Sequence, residues 1–291
     1  MRKKYTYAII TVCIWSTLAA LAKKLLLDIP NLEALCISSF FAFLFLLMVN
    51  IKSGTINQMK NYSVKEYATM SGLGFIGLFL YNALYYYGLS QLSSQEACIL
   101  NYLWPIMLVM FSCIILKEKL TIMKIIAMIS SFLGIVILSL DSGSHSSGNV
   151  SLGMISCIVA AACYGLFSVL NKKADCNQNI AMMIIWLTTA VCALVFGAPV
   201  EKWIPIQGIQ WIGILWIGVV INAVGYLLWA LALNGTENTA AIANLAYFTP
   251  FLSLIISAVF LKEKIHIRTV VALIFIIGGI LLQYVYDRKK G

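Results

Sequence analysis

Charge is what this chain has least of. Asp, Glu, Lys and Arg make up 11% of its 291 residues, whereas a soluble domain carries about 25%. A water-facing coat cannot be assembled from so few. Catalytic apparatus is equally scarce. No G-x-x-x-x-G-K-[ST] phosphate loop occurs, so nothing points to ATP use. No paired acids, Ser/Lys pair or His constellation lies within the apolar segments, which speaks against an enzyme working inside the membrane. The eight cysteines form no C-x-x-C pair, and the two histidines, His145 and His266, fall in separate segments, so no metal or other cofactor is expected. The net charge of +9 comes from scattered basic residues rather than a patch, which excludes nucleic acid as a partner. Connections between apolar segments are short, leaving no soluble domain of the kind a receptor or sensor would add.

What the chain has is apolar length. It is 62% hydrophobic with a mean hydropathy of +0.93. About 20 consecutive apolar residues cross a ~30 Å hydrocarbon core as a helix, and in lipid only helices or closed barrels satisfy every backbone group. The runs are continuous rather than alternating, so they predict helices. Ten spans are expected: Tyr5–Ala22, Leu32–Val49, Tyr67–Gly88, Ala97–Leu116, Ile122–Leu140, Leu152–Leu170, Ile180–Phe196, Ile209–Leu233, Thr239–Leu261 and Thr269–Tyr286. Arg2-Lys3-Lys4 before the first run resembles a secretory signal, but that run has full spanning length and no convincing cleavage site. It reads as a retained first helix.

The basic residues report orientation. With the N-terminus inside, 14 of the 20 lie in cytoplasmic segments and six (Lys23, Lys24, Lys202, Lys262, Lys264, Arg268) in outer ones. By the positive-inside rule both termini are cytoplasmic, in agreement with an even number of spans. Cys13, Cys36, Cys98, Cys113, Cys157, Cys163 and Cys192 fall within or at the edge of spans and Cys176 in an inner loop, as small packing residues.

The chain also repeats itself. Leu116-Lys117-Glu118-Lys119 recurs 145 residues later as Leu261-Lys262-Glu263-Lys264, and at the same offset Tyr102, Pro105 and Gly134 meet Tyr247, Pro250 and Gly279. Trp15, Lys23 and Lys24 match Tyr164, Lys172 and Lys173 at an offset of 149. Each half holds five spans, and five is odd, so the second half enters the membrane upside down. The fold class is therefore an all-α integral membrane protein of two inverted five-helix repeats (residues 1–141 and 151–291) around a central cavity, joined by a polar outer linker at 142–150. Inverted repeats that meet near the midplane are a transporter device for alternating access; a duplicated scaffold that only anchors something is the plainer alternative.

In each half a helix with a mid-membrane proline ends in Leu-Lys-Glu-Lys and precedes a helix with a Gly-rich apolar end. This resembles the EamA-type pattern of the drug/metabolite transporter superfamily over nearly the whole chain, with Lys117 and Lys262 where that family's L-G-E signature has Gly. Asn101-Tyr102-Leu103-Trp104-Pro105 is similar to a motif of the bacterial aromatic amino acid exporters in that superfamily. That resemblance implies a bacterial inner-membrane exporter with a cavity lined by Tyr81, Tyr85, Tyr102 and Trp104.

Polar side chains within spans need a partner or a watery cavity. On their own, the residues cluster on a few helices: Tyr81, Asn82 and Tyr85; Asn101 and Trp104; Tyr164; Asn222, Tyr226 and Trp229 in one stripe; Asn244 and Tyr247. Aromatic faces with Asn amides suit an amphipathic solute with a flat apolar body. Competing readings stand beside this one. Tyr85, Tyr86 and Tyr87 equally suit an interfacial aromatic belt, and Asn222 and Asn244 equally suit interhelical hydrogen bonding. Pro105 and Pro250 read as hinges or as tolerated kinks, and the two Leu-Lys-Glu-Lys segments as snorkelling interface anchors.

No ionisable residue lies deep in a span; Glu33 and Glu96 come closest, at the outer starts of theirs. The expected function is a secondary carrier or facilitator, without ATP or a strict proton requirement, exporting aromatic or other neutral amino acids as a monomer. A broad exporter of flat cations or nucleoside-type metabolites is the alternative.

Overall fold

In a computed structural model, residues 2–115, 117, 122–139, 149–174, 176–233 and 244–290 are described. Most of the linker expected at 142–150, most of the first Leu-Lys-Glu-Lys segment and the expected start of the ninth span lie outside them. The described residues form ten helical spans. These are α1 (Arg2–Ser16 continued by Leu18–Leu25), α2 (Asn31–Lys52), α3 (Val64–Leu73, Gly74–Leu80, Tyr81–Gln91), α4 (Ser94–Asn101 and Trp104–Ile115) and α5 (Ile122–Ser139). The second half supplies α6 (Val150–Lys173), α7 (Gln178–Gly197), α8 (Gln210–Leu215, Trp216–Gly225, Tyr226–Leu233), α9 (Asn244–Phe248 and Thr249–Phe260) and α10 (Ile267–Lys290). Seven are long and apolar enough to cross a membrane; Ile122–Ser139 adds 18 residues, and Thr249–Phe260 and Ile267–Gly279 are shorter apolar helices.

Several helices, α1, α2, α3 and α6 among them, outrun the apolar segments because backbone pairing continues into the polar flanks. Local signals set several ends. Ser63 and Ser93 each start a helix with a reciprocal capping box, to Glu66 and Glu96 respectively. Gly54, at φ 71°, follows the end of α2.

Packing follows the repeat. α5 pairs with α10 and α2 with α7, each helix with its counterpart in the other half. Ser130 Oγ donates to Phe275 O at 2.7 Å, and these two positions are themselves 145 apart. α6 lies against α3 and α4, while α1 lies against α8 and α9. Each half's first helix thus packs on the other half's third and fourth, so the halves are interlocked rather than side by side. Close approach is bought by glycine: a Cβ on Gly165 of α6 would stand 2.7 Å from Leu108 N of α4.

Two features depart from the sequence reading. α3 and α8 each contain a π-helical stretch, Gly74–Leu80 and Trp216–Gly225, ending just before Tyr81 and Tyr226. Those tyrosines are 145 residues apart, so both halves use the same local widening, a feature that collects at functional sites. The prolines, expected to kink continuous helices, instead stand in the first turn of new ones. α4 is interrupted at Tyr102–Leu103 before Trp104-Pro105, and α9 passes from a 3-10 turn into a helix opening Thr249-Pro250. There the missing N–H costs no intrahelical bond.

Candidate functional site: a central aromatic cavity

Where α1, α3, α4, α6, α8 and α9 converge, a cavity of about 70 Å³ remains. Seven rings wall it: Trp15, Tyr81, Tyr85, Tyr102, Trp104, Tyr164 and Tyr226. Tyr81 and Tyr85, one turn apart on α3, stack almost parallel with centroids 6.1 Å apart. Tyr164 of α6 lies 5.0 Å from Tyr81 and meets Trp104 edge-on at 5.2 Å and 89°. Trp15 of α1 sits 5.3 Å from Tyr226, which rests edge-on against the fully buried Trp186. Such pairs contribute about 0.5–1.5 kcal/mol each beyond burial, enough to hold the rings in place around a small void.

The polar lining consists of amides and hydroxyls: Asn82, Asn101, Asn222, Thr249 and Ser253, with the Cys98 thiol; no charged side chain is among the lining residues. Asn101 Nδ2 donates to Tyr81 Oη at 3.0 Å, and Asn82 Nδ2 to the Leu78 carbonyl at 2.7 Å. Tyr102 Oη donates to Ala246 O across the repeat boundary. Several groups are left over. Asn101 Oδ1, Trp15 Nε1, Thr249 Oγ1 and Ser253 Oγ are buried without a hydrogen-bond partner.

Of the residues singled out in the sequence, Tyr81, Asn82, Tyr85, Asn101, Tyr102, Trp104, Tyr164, Asn222 and Tyr226 line this cavity. Tyr85 and Tyr86 are buried rather than placed in an interfacial belt. Trp229 does not line it: its ring centroid lies 5.4 Å from that of Trp15, in a separate small cluster with Tyr5, Tyr7 and Ala8. The side chains of Asn244 and Tyr247 lie outside the described residues, as does that of Pro105. Sequence reasoning did not single out Trp15, Thr249 and Ser253 as lining residues. Trp15 was visible as the repeat-mate of Tyr164, and that signal was there to be used.

At one end of the bundle, acidic side chains bridge the halves. Glu263 accepts from Ser94 N and Ser94 Oγ, both at 2.9 Å, and from Gln95 N at 3.3 Å, at the start of α4. Glu201 accepts from Leu32 N at 2.9 Å and Glu33 N at 3.2 Å, at the start of α2. Lys23 Nζ donates to the Leu89 and Leu92 carbonyls at the end of α3, at 2.5 and 2.6 Å. Each charge sits at the helix end whose dipole it complements. Glu263, from the second Leu-Lys-Glu-Lys segment, therefore turns inward as a helix cap, while Lys262 and Lys264 stay exposed. The interface-anchor reading therefore does not hold for Glu263. Glu33 and Glu96 are likewise occupied, Glu33 accepting from Ile204 N at 3.0 Å and Glu96 in its capping box.

An all-helical bundle of two interlocked repeats enclosing an uncharged polar cavity defines a membrane carrier of small molecules. The chain belongs to the EamA-like transporter family, which it matches over residues 2–140 and 151–285. An uncharacterized transporter of Clostridium kluyveri is 22% identical over 99% of this chain and 95% of its own length. One from Archaeoglobus fulgidus is 27% identical over 79% and 81%. The aromatic amino acid exporter YddG of Ancylobacter novellus is 23% identical over 75% and 76%. A solved crystal structure shares the fold at a TM-score of 0.71 and 18% identity, with 99% of both chains covered.

Proposed function

We propose that this protein is a secondary carrier that exports small amphipathic metabolites, aromatic or other neutral amino acids foremost, by alternating access without ATP. It works as a monomer in the bacterial inner membrane, with both termini cytoplasmic. The observation that carries the reading is the central cavity, with seven rings and no charged side chain in its lining. A ring-bearing solute finds apolar faces there, and a solute of net charge finds no counter-ion, whose absence inside a membrane is costly. A zwitterion is net neutral and brings its own donor and acceptor. Asn101 Oδ1 is free to accept from an ammonium, and Trp15 Nε1 to donate to a carboxylate. The similarity to a relative named for aromatic amino acid export points the same way.

At about 70 Å³ the void has room for a few waters, at roughly 30 Å³ each, and not for tryptophan. Loading it requires the halves to move apart, as alternating access demands. The test is uptake of labelled phenylalanine or tryptophan into proteoliposomes, with other amino acids, nucleosides and flat cations as competitors. Trp104→Ala and Tyr81→Ala are expected to cut uptake by tenfold or more, corresponding to about 1.4 kcal/mol or more. Normal uptake by both variants sinks the aromatic-cavity reading. Competition by flat cations or nucleosides alone transfers the site to those solutes.

A further inference from the structure

Hydroxyls on lipid-embedded helices normally bond back to a carbonyl one turn earlier, and several in this protein do so. Thr11 reaches Tyr7 O, Ser16 reaches Val12 O, Ser168 reaches Tyr164 O and Thr189 reaches Ile185 O, all within 3.0 Å. Thr249, Ser253 and Ser257 of α9 break the pattern. They recur every four residues on one face, are 3%, 1% and 0% exposed, and none of their hydroxyls has a hydrogen-bond partner.

That face meets the first segment of α4. Thr249 lies close enough to the Tyr102 phenol, and Ser253 to the Cys98 thiol, for a weak hydrogen-bonding contact, but neither hydroxyl has a well-directed partner. The helices run antiparallel, so the same four-residue step brings Ser94, whose hydroxyl donates to Glu263, to the depth of Ser257, with Gln95 next to it in the chain. Gln95 is 3% exposed and its Nε2 is also unpartnered. Among the described residues, this one seam holds four of the twelve buried side-chain polar atoms without a partner. Its inner end opens on the central cavity, whose lining includes Tyr102, Cys98, Thr249 and Ser253. Its outer end meets a second cavity of about 470 Å³ lined by Lys23, Gln95, Glu96 and Glu263 among others.

A buried polar group without a partner costs on the order of 1–3 kcal/mol, and four along one seam are a poor way to glue two helices together. They are useful if the seam is wet for part of the time. We propose that the α4–α9 seam is the outer half of the solute path, shut in this conformation, with Gln95, Ser253 and Ser257 as its polar lining and the Lys23–Glu96–Glu263 cavity as its mouth. When α9 parts from α4, the unpaired groups gain water and offer hydrogen bonds to the polar end of a passing solute. The repeat-mates of Thr249, Ser253 and Ser257 are Trp104, Leu108 and Ser112, so the first half does not repeat the three-hydroxyl stripe. The inference rests on the central cavity being the solute site.

Cysteine accessibility tests it. A membrane-impermeant cationic methanethiosulfonate is applied from outside to intact cells during turnover, and adducts on the purified protein are located by peptide mass. Ser253→Cys and Ser257→Cys, which barely change side-chain volume, are expected to gain the adduct mass at those positions. Native Cys98 of the unaltered protein, on the same seam, is expected to gain it too. Ile255→Cys, at the same depth but facing lipid at 56% exposure, is expected to stay unmodified. Transport-competent Ser253→Cys and Ser257→Cys proteins without adducts overturn the proposal, as does equal labelling at position 255. If either variant fails to fold, Cys98 reports on the same seam by itself. Failure of the cavity reading is separate: Trp104→Ala and Tyr81→Ala then transport normally while labelling along the seam persists.

Discussion

Lys117 and Lys262 are the two non-glycine residues with positive φ among the described residues, at 55° and 57°. They occupy the same place in the two repeats, and Lys262 directly follows the last helical residues of α9, where a chain leaves a helix through the left-handed region. A side chain with a Cβ pays roughly 1–2 kcal/mol there, whereas glycine pays nothing for the same turn. The resemblance to the L-G-E signature thus has a physical content: the position wants a glycine backbone, and this chain tolerates a lysine that remains exposed. Lys262→Gly is expected to raise stability by about 1 kcal/mol, net of glycine's greater unfolded-state entropy, seen as a higher midpoint of thermal unfolding in detergent. An unchanged or lower midpoint argues that the lysine makes contacts outweighing the strain. A second residue-scale test concerns Tyr81. Its phenol oxygen is the acceptor for Asn101 Nδ2, so Tyr81→Phe leaves a buried amide donor unpaired at a cost of about 1–3 kcal/mol. The ring is unchanged, so a Phe variant that still binds aromatic solute but unfolds earlier separates this bond from the ring's contact with solute.

Helix ends are where sequence reasoning and the fold diverge most usefully. The Ser-x-x-Glu starts of α3 and α4 were legible, because a capping box is local: Ser63 and Glu66, or Ser93 and Glu96, need only each other. The caps supplied by Glu201 and Glu263 were not, since each carboxylate sits about 169 residues from the amides it accepts from. The π stretches before Tyr81 and Tyr226 also escaped notice, because they answer to packing between helices rather than to residue preference. Helix number, the repeat and most cavity residues could be read from apolar run length, the 145-residue offset and polar residues within spans. The unpartnered hydroxyls of α9 could not, since Ser and Thr in a span ordinarily satisfy themselves. The long-range cap makes its own prediction. Glu263→Ala removes an acceptor of two backbone N–H groups and one hydroxyl at the start of α4, and charged hydrogen bonds contribute about 1.5–3 kcal/mol each at most. A loss of about 2 kcal/mol is expected, measured as a lower unfolding midpoint, with Glu263→Gln losing less because its amide oxygen still accepts. Equal losses from both variants mean that charge, not hydrogen bonding, holds this junction.

At the scale of the whole molecule, the two halves share a plan but not a lining. α1 crosses onto α8 and α9 while α6 crosses onto α3 and α4, so neither repeat closes the cavity alone and any movement of one half reshapes the wall contributed by the other. Where the ionisable groups stand in that arrangement bears on what drives transport. Glu33, Glu96, Glu201 and Glu263 are engaged at helix ends at one end of the bundle, and Lys23 is held by two carbonyls there. The central cavity's lining holds amides, hydroxyls, a thiol and phenols, and no carboxylate, imidazole or amine. Where proton binding acts directly on solute binding, an ionisable group stands at the solute's binding site itself. With the coupling residue missing from that lining, solute flux should follow the solute gradient alone. Counterflow of labelled phenylalanine in proteoliposomes is therefore expected to run equally well with and without a pH gradient and to survive a protonophore. Collapse of counterflow on removing the gradient would refute this. It would then direct attention to the outer cavity, where Glu96 and Glu263 flank the mouth of the seam. Glu96→Gln and Glu263→Gln would settle which carboxylate carries the proton, by which of them makes flux indifferent to the gradient.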